Sequence, residues 1–386
     1  MEVIIIESKN KTQRCNTVLS EIKYLRGKKD FLIDKRNSNR YRVLVKESIG
    51  QTAYCFSCPI YNIETRKLIH TDFEKTKAGY VFKGSSGLIA INDNTCFFET
   101  KEGKATVILD ESPVIYGEDN SFQGNITIKP TLNGLQFIVK GTQLNVCLKT
   151  RMKQVGVRFH STCFSVMSSE FKPFLSVATL YAHDEKENIV PLEMKYCDKG
   201  NQIYDISFFH SLKNGSFIFE VNLYEPKLFQ DTTVESFNPN INNAYGAVGF
   251  IGKTKQFGEQ WLYSRPDFSK IPDLTSERID KVFLHIPIMN GSTETLAVFT
   301  PEKRFCSFGS TWNKKIDASP QIAASNNQGR YLTIDVTSMF TNQADHTLVY
   351  NEGLILKKPK GKNNFIAIST GDCYSAPQIL EIKFKN

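Results

Sequence analysis

The sequence predicts an all-β fold of two or three β-sandwich domains, of which the C-terminal one is jelly-roll-like. Aromatic residues make up 12% of the 386 residues, and aromatic and β-branched side chains suit the half-buried surface of a pleated sheet. Strand-like segments recur about every 8–12 residues with turn residues between them, which is typical of sandwiches rather than doubly wound sheets. The chain also exceeds one ordinary core, since a domain usually takes about 100–200 residues.

The N-terminal elements follow from local pattern. Residues 2–8 (EVIIIES) indicate a first strand, and the polar, basic residues 9–40 contain one weak amphipathic stretch around Thr17–Leu25. From Tyr41 a long series of strand-like segments begins. Short turns with Gly, Asn and Asp separate these segments, and such turns are what hairpins require.

Two Asn-Gly pairs predict hairpins, because each lies between apolar alternations. Asn133-Gly134 lies within ITIKPTLNGLQFIVKG, and Asn214-Gly215 precedes SFIFEVNLYE. Alternation with a period of two in the second segment puts four side chains on one face of a strand, namely Phe217, Phe219, Val221 and Leu223.

A shift in composition at Pro226 predicts the main domain boundary. Residues 1–225 are expected to form an N-terminal β-sandwich region, either one large sandwich or two sub-domains with a seam near 125–150. Residues 226–386 are expected to form the jelly-roll-like binding domain. No fixed-period repeat or low-complexity linker marks another division.

Charge and cysteine content bear on where the protein is made and works. The net charge of +8 is mildly basic and interspersed, which predicts a solvated surface or, alternatively, attraction to a polyanion. Nine Cys are an odd number without regular spacing, and the initial apolar run is too short for a signal peptide. We therefore expect synthesis in the cytoplasm without a signal peptide, and a final site on a particle or cell surface. No segment reaches the roughly 18 apolar residues of a membrane span.

The order of short motifs from residue 231 onward is the most specific signal in the chain. The matching residues are Asp231-Thr232, Asp267, Ser269, Ile271-Pro272, Thr311-Trp312-Asn313, Asp335-Val336-Thr337, Asn351, Gly353-Leu354 and Pro377. In this order they resemble the DNRLRE family, a β-sandwich family related to carbohydrate-binding modules. The resemblance spans about two fifths of the chain and implies a sandwich that binds a glycan or a partner. Pro266 and Phe305 depart from the family pattern at an aromatic and a tryptophan position, so a stacking surface there would be altered.

Basic and aromatic residues are the candidates for ligand binding. Lys357, Lys358, Lys360 and Lys362 form a predicted basic tip between two strands, and Lys253 and Lys255 form a second basic turn. Ammonium groups on a turn attract a carboxylate- or phosphate-bearing polymer, whereas the alternative is a charged tip that discourages edge pairing. Three aromatic residues are candidate surfaces for sugar rings: Tyr245, Trp261 and Tyr263. Trp312 is expected mainly to close one end of the core, with ligand stacking as the alternative.

Other candidate chemistry is sparse. Asp231, Glu235 and Asn238 could supply oxygen ligands to a structural Ca²⁺ near the start of the domain. Cys55 and Cys58 form a C-x-x-C inside a strand-like run, which predicts buried thiols rather than a redox or zinc motif. His285 in VFLHIPI is interpreted as structural. No phosphate loop or known catalytic motif occurs, so no catalytic residue and no cofactor besides Ca²⁺ is predicted.

The expected function is a non-enzymatic binding or structural protein displayed on a particle or cell surface, such as a phage, injection particle or coat. Its C-terminal sandwich would recognise a glycan, acidic ones included, or a partner subunit of a larger assembly. The alternatives are a polysaccharide-active enzyme with an accessory binding domain, and a glycan-binding module of a surface or toxin-delivery system. Nucleic acid is the disfavoured partner, and a homo-oligomer stays open.

Overall fold

The protein consists of two compact units. The computed structural model describes residues 17–27, 31–34, 38–46, 50–62, 64–65, 67–116, 124–271, 278–289, 294–341, 353–358 and 364–385. The first unit comprises Met1–Tyr61, Pro226–Ala244 and Gly249–Asn386, and the second comprises Asn62–Glu225 and Tyr245–Val248. Most of the second unit is thus inserted into the chain of the first. The predicted all-β class is confirmed, because the sheets are largely antiparallel and helix is scarce.

Helix and strand bounds follow the chain through the two units. The N-terminal part of the first unit contains α1 (Thr17–Leu25), β1 (Leu32–Ile33), β2 (Arg42–Lys46) and β3 (Gln51–Phe56). The second unit contains β4 (Glu74–Thr76), β5 (Gly79–Lys83), β6 (Leu88–Asn92), β7 (Thr95–Glu99), β8 (Gly103–Leu109), β9 (Val114–Ile115), β10 (Ile126–Pro130), β11 (Gly134–Lys140), β12 (Gln143–Met152), β13 (Gly156–His160), β14 (Cys163–Ser169), β15 (Lys172–His183), β16 (Ile189–Val190), β17 (Glu193–Gly200), β18 (Ile203–Phe209) and β19 (Ser216–Leu223). The remaining elements are β20 (Phe229–Glu235), β21 (Val248–Thr254), β22 (Gly258–Pro266), β23 (Ile279–Pro287), β24 (Ala297–Pro301), β25 (Ala318–Ala324), β26 (Asn326–Gln328), β27 (Tyr331–Asp335), α2 (Thr337–Thr341), β28 (Leu354–Lys357), β29 (Phe365–Ser369) and β30 (Ile379–Phe384).

Helix α1 forms at the weak amphipathic stretch of the sequence. Val18 and Ile22 are fully buried, and residues four apart lie on the same face of a helix. The predicted strand at residues 2–8 lies outside the described residues. Within the described ranges, neither helix has the length or apolar character needed to span a bilayer.

The first unit has the strand pairing of a jelly roll. One of its sheets has the order β1-β2-β3-β30-β23-β27-β26, and the other has the order β25-β24-β28-β22-β21-β29, with β20 also pairing with β22. Eight strands of the first unit form nested pairs when they are numbered in chain order. The first of them pairs with the eighth, the second with the seventh, the third with the sixth and the fourth with the fifth. These antiparallel pairs are β3–β30, β22–β28, β23–β27 and β24–β25. The pairs β23–β30 and β24–β28 then join them into the two sheets.

The core of the first unit lies between these two sheets. One buried cluster contains residues from both of them, including Leu44, Cys55 and Ile382 from the first sheet and Leu262, Val298 and Leu356 from the second. Burial of each such side chain contributes about 1.5–3 kcal/mol. The two sheets therefore form a sandwich, as predicted for the C-terminal domain.

The first jelly-roll strand comes from the N-terminal end, which differs from the predicted boundary. Strand β3 lies between β2 and β30, with Thr52 opposite Lys383, so residues 226–386 alone lack three strands of this sheet, of which β3 is the first jelly-roll strand. The chain leaves and re-enters this unit at adjacent points, since the Leu228 N–H donates to the Ser57 carbonyl over 2.7 Å. Pro226 is a boundary between the two units, but it is the residue at which the chain returns from the inserted second unit to the first.

The second unit is a sandwich of two eight-stranded sheets. One contains β13-β14-β15-β19-β11-β10-β9 with β16 beside β15, and the other has the order β17-β18-β12-β8-β7-β6-β5-β4. Phe208 of β18 stacks on Phe219 of β19 with 4.1 Å between ring centroids, so the sheets pack face to face. The optional seam near 125–150 is not a division between units, since residues 62–225 cluster together.

The two Asn-Gly pairs have different outcomes. Asn133-Gly134 forms the predicted hairpin, in which β10 pairs with β11 and a side chain at Gly134 would meet the Val221 carbonyl. The hairpin predicted at Asn214-Gly215 is wrong, because β18 and β19 belong to different sheets. The apolar alternations there face each other across the core, so the turn connects two layers rather than two neighbours in one sheet.

Candidate functional site

Strand β22 presents a different set of side chains on each face of its sheet. Leu262 points into the main core, whereas Tyr263 belongs to a small outer cluster with Val234, Phe305 and Ile355. Alternate residues of a strand point to opposite faces, so Trp261 shares the outer face with Tyr263 and packs against this cluster. The outer face of the sheet therefore carries a second apolar layer.

Tyr263 fixes the segment that covers this layer. Its side chain is fully buried, and its hydroxyl donates a hydrogen bond to the Ile316 carbonyl over 2.6 Å. Burial is the main cause that raises the pKa of the Tyr263 hydroxyl, so it stays a donor. Tyr263 was predicted as a sugar-stacking surface, and that prediction is wrong because its ring faces protein on both sides.

Two tryptophans form the exposed part of the outer layer. Trp261 and Trp312 have ring centroids 5.2 Å apart and an interplanar angle of 56°, and both are half-buried. The indole N–H of Trp261 donates to a Glu259 carboxylate oxygen over 2.7 Å. Trp312 begins a short 3₁₀ turn, Trp312–Lys314, and packs on the outer cluster rather than closing the main core.

Two lysines extend over these rings. The Lys357 ammonium lies 3.5 Å from the centroid of Trp261 and 5.0 Å from that of Phe299. The Lys315 ammonium lies 4.6 Å from the centroid of Trp312. Burial lowers the pKa of Lys357, although the carboxylates of Glu259 and Asp317 oppose this effect. We call the set Trp261, Trp312, Phe299, Lys315, Lys357, Glu259 and Asp317 the tryptophan platform.

The tryptophan platform combines an aromatic surface with balanced charge. Two ammonium groups, on Lys315 and Lys357, accompany two carboxylates, on Glu259 and Asp317. Indole rings offer apolar contact area at low conformational cost, and charged groups beside them can hydrogen-bond to hydroxyls. A ligand with an apolar face and several hydroxyls fits this chemistry.

The predicted basic tip is only partly described. Lys357 belongs to the tryptophan platform, but Lys358 is buried and its ammonium lies 3.9 Å from a Glu294 carboxylate oxygen. Lys358 is therefore not a solvent-facing cation, contrary to the prediction. Lys360 and Lys362 lie outside the described residues.

The other predicted binding residues do not join the tryptophan platform. Lys253 and Lys255 are exposed at the turn between β21 and β22. Tyr245 clusters with the second unit, where it is buried and its hydroxyl donates to the Phe171 carbonyl over 3.0 Å. Tyr245 is therefore a packing residue, and its prediction as a sugar-binding surface is wrong.

The residues predicted to bind Ca²⁺ do not converge on one point. Asp231 and Glu235 are four positions apart on β20, a separation of about 13 Å for extended chain. Glu235 is fully buried and accepts hydrogen bonds from the side-chain amides of Asn238, Asn243 and Gln260. Its oxygens are occupied in holding the following loop. Within the described residues, no group of three or more His, Cys, Asp or Glu side chains has the arrangement of a metal site.

Asp231 instead belongs to a buried charged cluster. Its carboxylate accepts a hydrogen bond from the Gly371 N–H and lies beside Asp372, whose carboxylate is 3.5 Å from the Lys227 ammonium. Burial raises the pKa of Asp231, and the Asp372 charge raises it further. Burial likewise raises the pKa of Asp372.

His285 forms the middle of a second buried polar chain. Its Nδ1 lies 2.9 Å from the Thr333 hydroxyl and its Nε2 lies 2.8 Å from a Glu381 carboxylate oxygen. Burial acts to raise the pKa of Glu381, but His285 and Lys383 outweigh it and the pKa is lowered. The Cys55 and Cys58 thiols are also buried, and burial raises the pKa of Cys55 to about 12. The burial of His285 and of the two thiols agrees with the interpretation of these residues as structural.

The sequence contained a signal for part of the tryptophan platform that the interpretation missed. Glu259, Trp261 and Tyr263 alternate along one strand, and alternation puts them on the same face. Lys315 follows Trp312 by three residues. Phe299 and Asp317 reach the site through the pairing of β24 with β28 and β25, which local spacing does not reveal.

The fold and this site define a jelly-roll β-sandwich protein with an aromatic surface site of mixed charge. Comparison with protein-family models and with curated proteins finds no match. The class is thus defined by strand pairing and by the tryptophan platform.

Proposed function

We propose that the protein is a non-enzymatic binding protein whose jelly-roll unit recognises a glycan at the tryptophan platform. The observation that carries the proposal is the half-exposed pair of Trp261 and Trp312, flanked by Lys315, Lys357 and Glu259. A sugar ring has an apolar face that packs on indole and hydroxyls that bond to ammonium and carboxylate groups. The DNRLRE-like order of motifs, and display on a particle or cell surface, are part of the same proposal.

The charge balance of the tryptophan platform sharpens the expected ligand. A site that attracts a polyanion through an excess of ammonium groups loses affinity steeply as salt rises. Here Glu259 and Asp317 offset Lys315 and Lys357, and Lys358 is paired with Glu294. We therefore propose that a neutral or weakly charged glycan binds by stacking and hydroxyl contacts.

A glycan array with the full chain tests this function. Binding of at least one glycan class is expected, with affinity that changes less than about threefold between low and high salt, since net charge contributes little. Trp261→Ala is expected to weaken binding at least about tenfold, which corresponds to about 1.4 kcal/mol.

The chain offers a matched control for this substitution. Tyr116 of the second unit is 55% exposed, and the Lys129 ammonium lies 4.0 Å from its ring centroid. Like Trp261, it is therefore an aromatic side chain that is accessible to solvent and in contact with a lysine. Tyr116→Ala should leave binding unchanged. Equal binding by Trp261→Ala and the unaltered chain would contradict the proposal.

A further inference from the structure

A lysine and two aspartates are buried together at one end of the jelly-roll unit. Lys227 precedes β20, Asp231 lies within β20, and Asp372 follows β29. Lys227 is 6% exposed and Asp231 is 2% exposed, and the side chain of Asp372 is 10% exposed. Buried charged groups are costly unless they are paired and hydrogen-bonded. The arrangement of these three groups therefore requires an explanation.

The Lys227 ammonium is close to a carboxylate without being hydrogen-bonded to it. Its nearest acidic oxygen is on Asp372, at 3.5 Å, which exceeds the usual range of about 2.7–3.2 Å for an N–H···O bond. No hydrogen-bond partner of this ammonium occurs among the residues that the structure describes. On one side the ring of Tyr374 lies 3.3 Å from the nitrogen and shields it from water. The carboxyl carbon Cγ of Asp372 is bonded to that acidic oxygen, so the nitrogen and the carbon that it would attack are neighbours in the cluster.

Asp231 is placed to move a proton between these groups. It is adjacent to Asp372, and its own carboxylate is oriented by the Gly371 N–H. Burial, followed by repulsion from Asp372, raises the pKa of Asp231, which favours its protonated form. Burial raises the pKa of Asp372 in the same way. The site thus favours uncharged acid forms, which are the forms that condense with an amine.

We propose that Lys227 and Asp372 condense to form an intramolecular isopeptide bond, with Asp231 as the proton-transferring residue. Proton transfer from the Lys227 ammonium to a neighbouring carboxylate gives a neutral amine and a carboxylic acid. The Lys227 nitrogen bonds to Cγ of Asp372, and Asp231 carries one of the two protons left on the nitrogen to the departing hydroxyl, while the other proton stays on the amide. One C–N bond forms, one C–O bond breaks, and one water molecule leaves. No oxidant, reductant or further reactant is needed.

The bond would fasten the jelly roll where the inserted unit returns to it. Lys227 directly follows Pro226, where the chain re-enters the first unit, and Asp372 lies in the segment that leads into the last strand, β30. A covalent link between distant positions in the chain restricts the unfolded state, as a disulfide does. Condensation also replaces a buried amine and a buried carboxyl group with a single neutral amide.

The mass of the purified full-length chain tests the proposal directly. The condensed chain is lighter than its sequence mass by about 18 Da, the mass of one water. Digestion should yield one branched peptide that joins the segments containing Lys227 and Asp372, which fragmentation can locate. A folded chain at its full sequence mass would overturn the proposal, and so would a water loss that maps to a cyclised aspartate instead of a branched peptide.

Variants separate the role of each residue. Lys227→Arg keeps a cation but has no amine that can form this bond, so it should show the full sequence mass. Asp231→Asn keeps a hydrogen-bonding side chain but cannot transfer the proton, so the linked fraction should fall at least about tenfold. If Asp231→Asn links as completely as the unaltered chain, the role of Asp231 is wrong. The measurement on the unaltered chain decides the main question even if a variant fails to fold.

The chain also contains an internal control. Lys270 and Asp267 approach to 3.2 Å, closer than Lys227 and Asp372, but their side chains are 23% and 26% exposed. Water competes for both groups there, and among the described residues no second carboxyl group acts on Asp267. Peptides containing Lys270 and Asp267 should be recovered unlinked, and a link at this pair would contradict the requirement for burial and a second acidic group.

Discussion

Among the lysines of the jelly-roll unit that lie above an aromatic ring, Lys227 and Lys357 have opposite surroundings. Lys357 lies 3.5 Å from the centroid of Trp261 in the half-exposed tryptophan platform, and Lys227 lies 3.3 Å from the centroid of Tyr374 in the buried charged cluster. The ring contact is nearly the same, so it cannot decide the role of the lysine. Access to water and the position of the nearest carboxylate differ, and these decide whether the group is available to a ligand or confined with its partner.

The largest expected difference between the two lysines is in stability. Lys227→Ala removes the proposed cross-link and leaves Asp231 and Asp372 buried without a cation, and the loss of a cross-link or of a buried pair costs about 3–5 kcal/mol. Lys357→Ala removes a surface cation–π contact worth about 0.5–1 kcal/mol. Urea unfolding followed by circular dichroism measures both values. Equal losses would show that burial does not distinguish the two sites.

A third lysine sharpens the comparison through its dependence on pH. Lys383 lies 5.2 Å from the centroid of Phe283 and 3.5 Å from a carboxylate oxygen of Glu381, and the pKa of Glu381 is lowered in the folded state. A lowered carboxyl pKa stabilises the fold above the unfolded value of about 4.3, and this stability is lost as the pH falls through the folded pKa.

Substitution of Glu381 tests this sign. Glu381→Gln is expected to cost about 1–2 kcal/mol at neutral pH, because it loses a charge-assisted hydrogen bond, and to lose less stability than the unaltered chain as the pH falls. Thermal unfolding between neutral and acidic pH checks both effects. If acidification destabilised Glu381→Gln and the unaltered chain equally, Glu381 would not be the source of the pH dependence.

The smallest effect is expected for the lysines of the tryptophan platform in ligand binding. Lys315→Gln and Lys357→Gln keep a side chain that donates hydrogen bonds, so each should weaken glycan binding only about fivefold, or about 1 kcal/mol. Titration at two salt concentrations measures this. If a lysine variant instead lost more affinity than Trp261→Ala, and if this loss of affinity disappeared at high salt, the ligand would be a polyanion.

Local patterns predicted the elements that depend on neighbouring residues. Helix α1 and the hairpin at Asn133-Gly134 formed where spacing and turn chemistry placed them. The pair Asn214-Gly215 has the same local chemistry but joins two sheets, because Phe208 and Phe219 stack across the core. The choice between pairing within a sheet and packing between sheets depends on contacts remote in the chain, which no local window contains.

The candidate site shows the same limit. Trp261 was identified from its residue type, but the contribution of Phe299 and Asp317 depends on how β24, β25 and β28 pair. Tyr263 has the same residue character as a binding aromatic, yet the Ile316 carbonyl covers its hydroxyl. Asp231 was predicted as a metal ligand because it is an acidic residue near a loop, and only the structure places it beside Asp372 and Lys227.

The pairing of β3 with β30 means that the sandwich is closed by two segments that lie more than 300 residues apart in the chain and are therefore translated at very different times. Until Ile379–Phe384 has been translated, β3 and β23 both lack a neighbour in their sheet, whereas Asn62–Glu225 already holds the strands of its own two sheets. Removal of the last strand should therefore expose apolar edges on both sides of the gap and favour aggregation. A shorter chain intended to keep the jelly-roll unit would have to retain residues 1–61 and join them directly to residue 226.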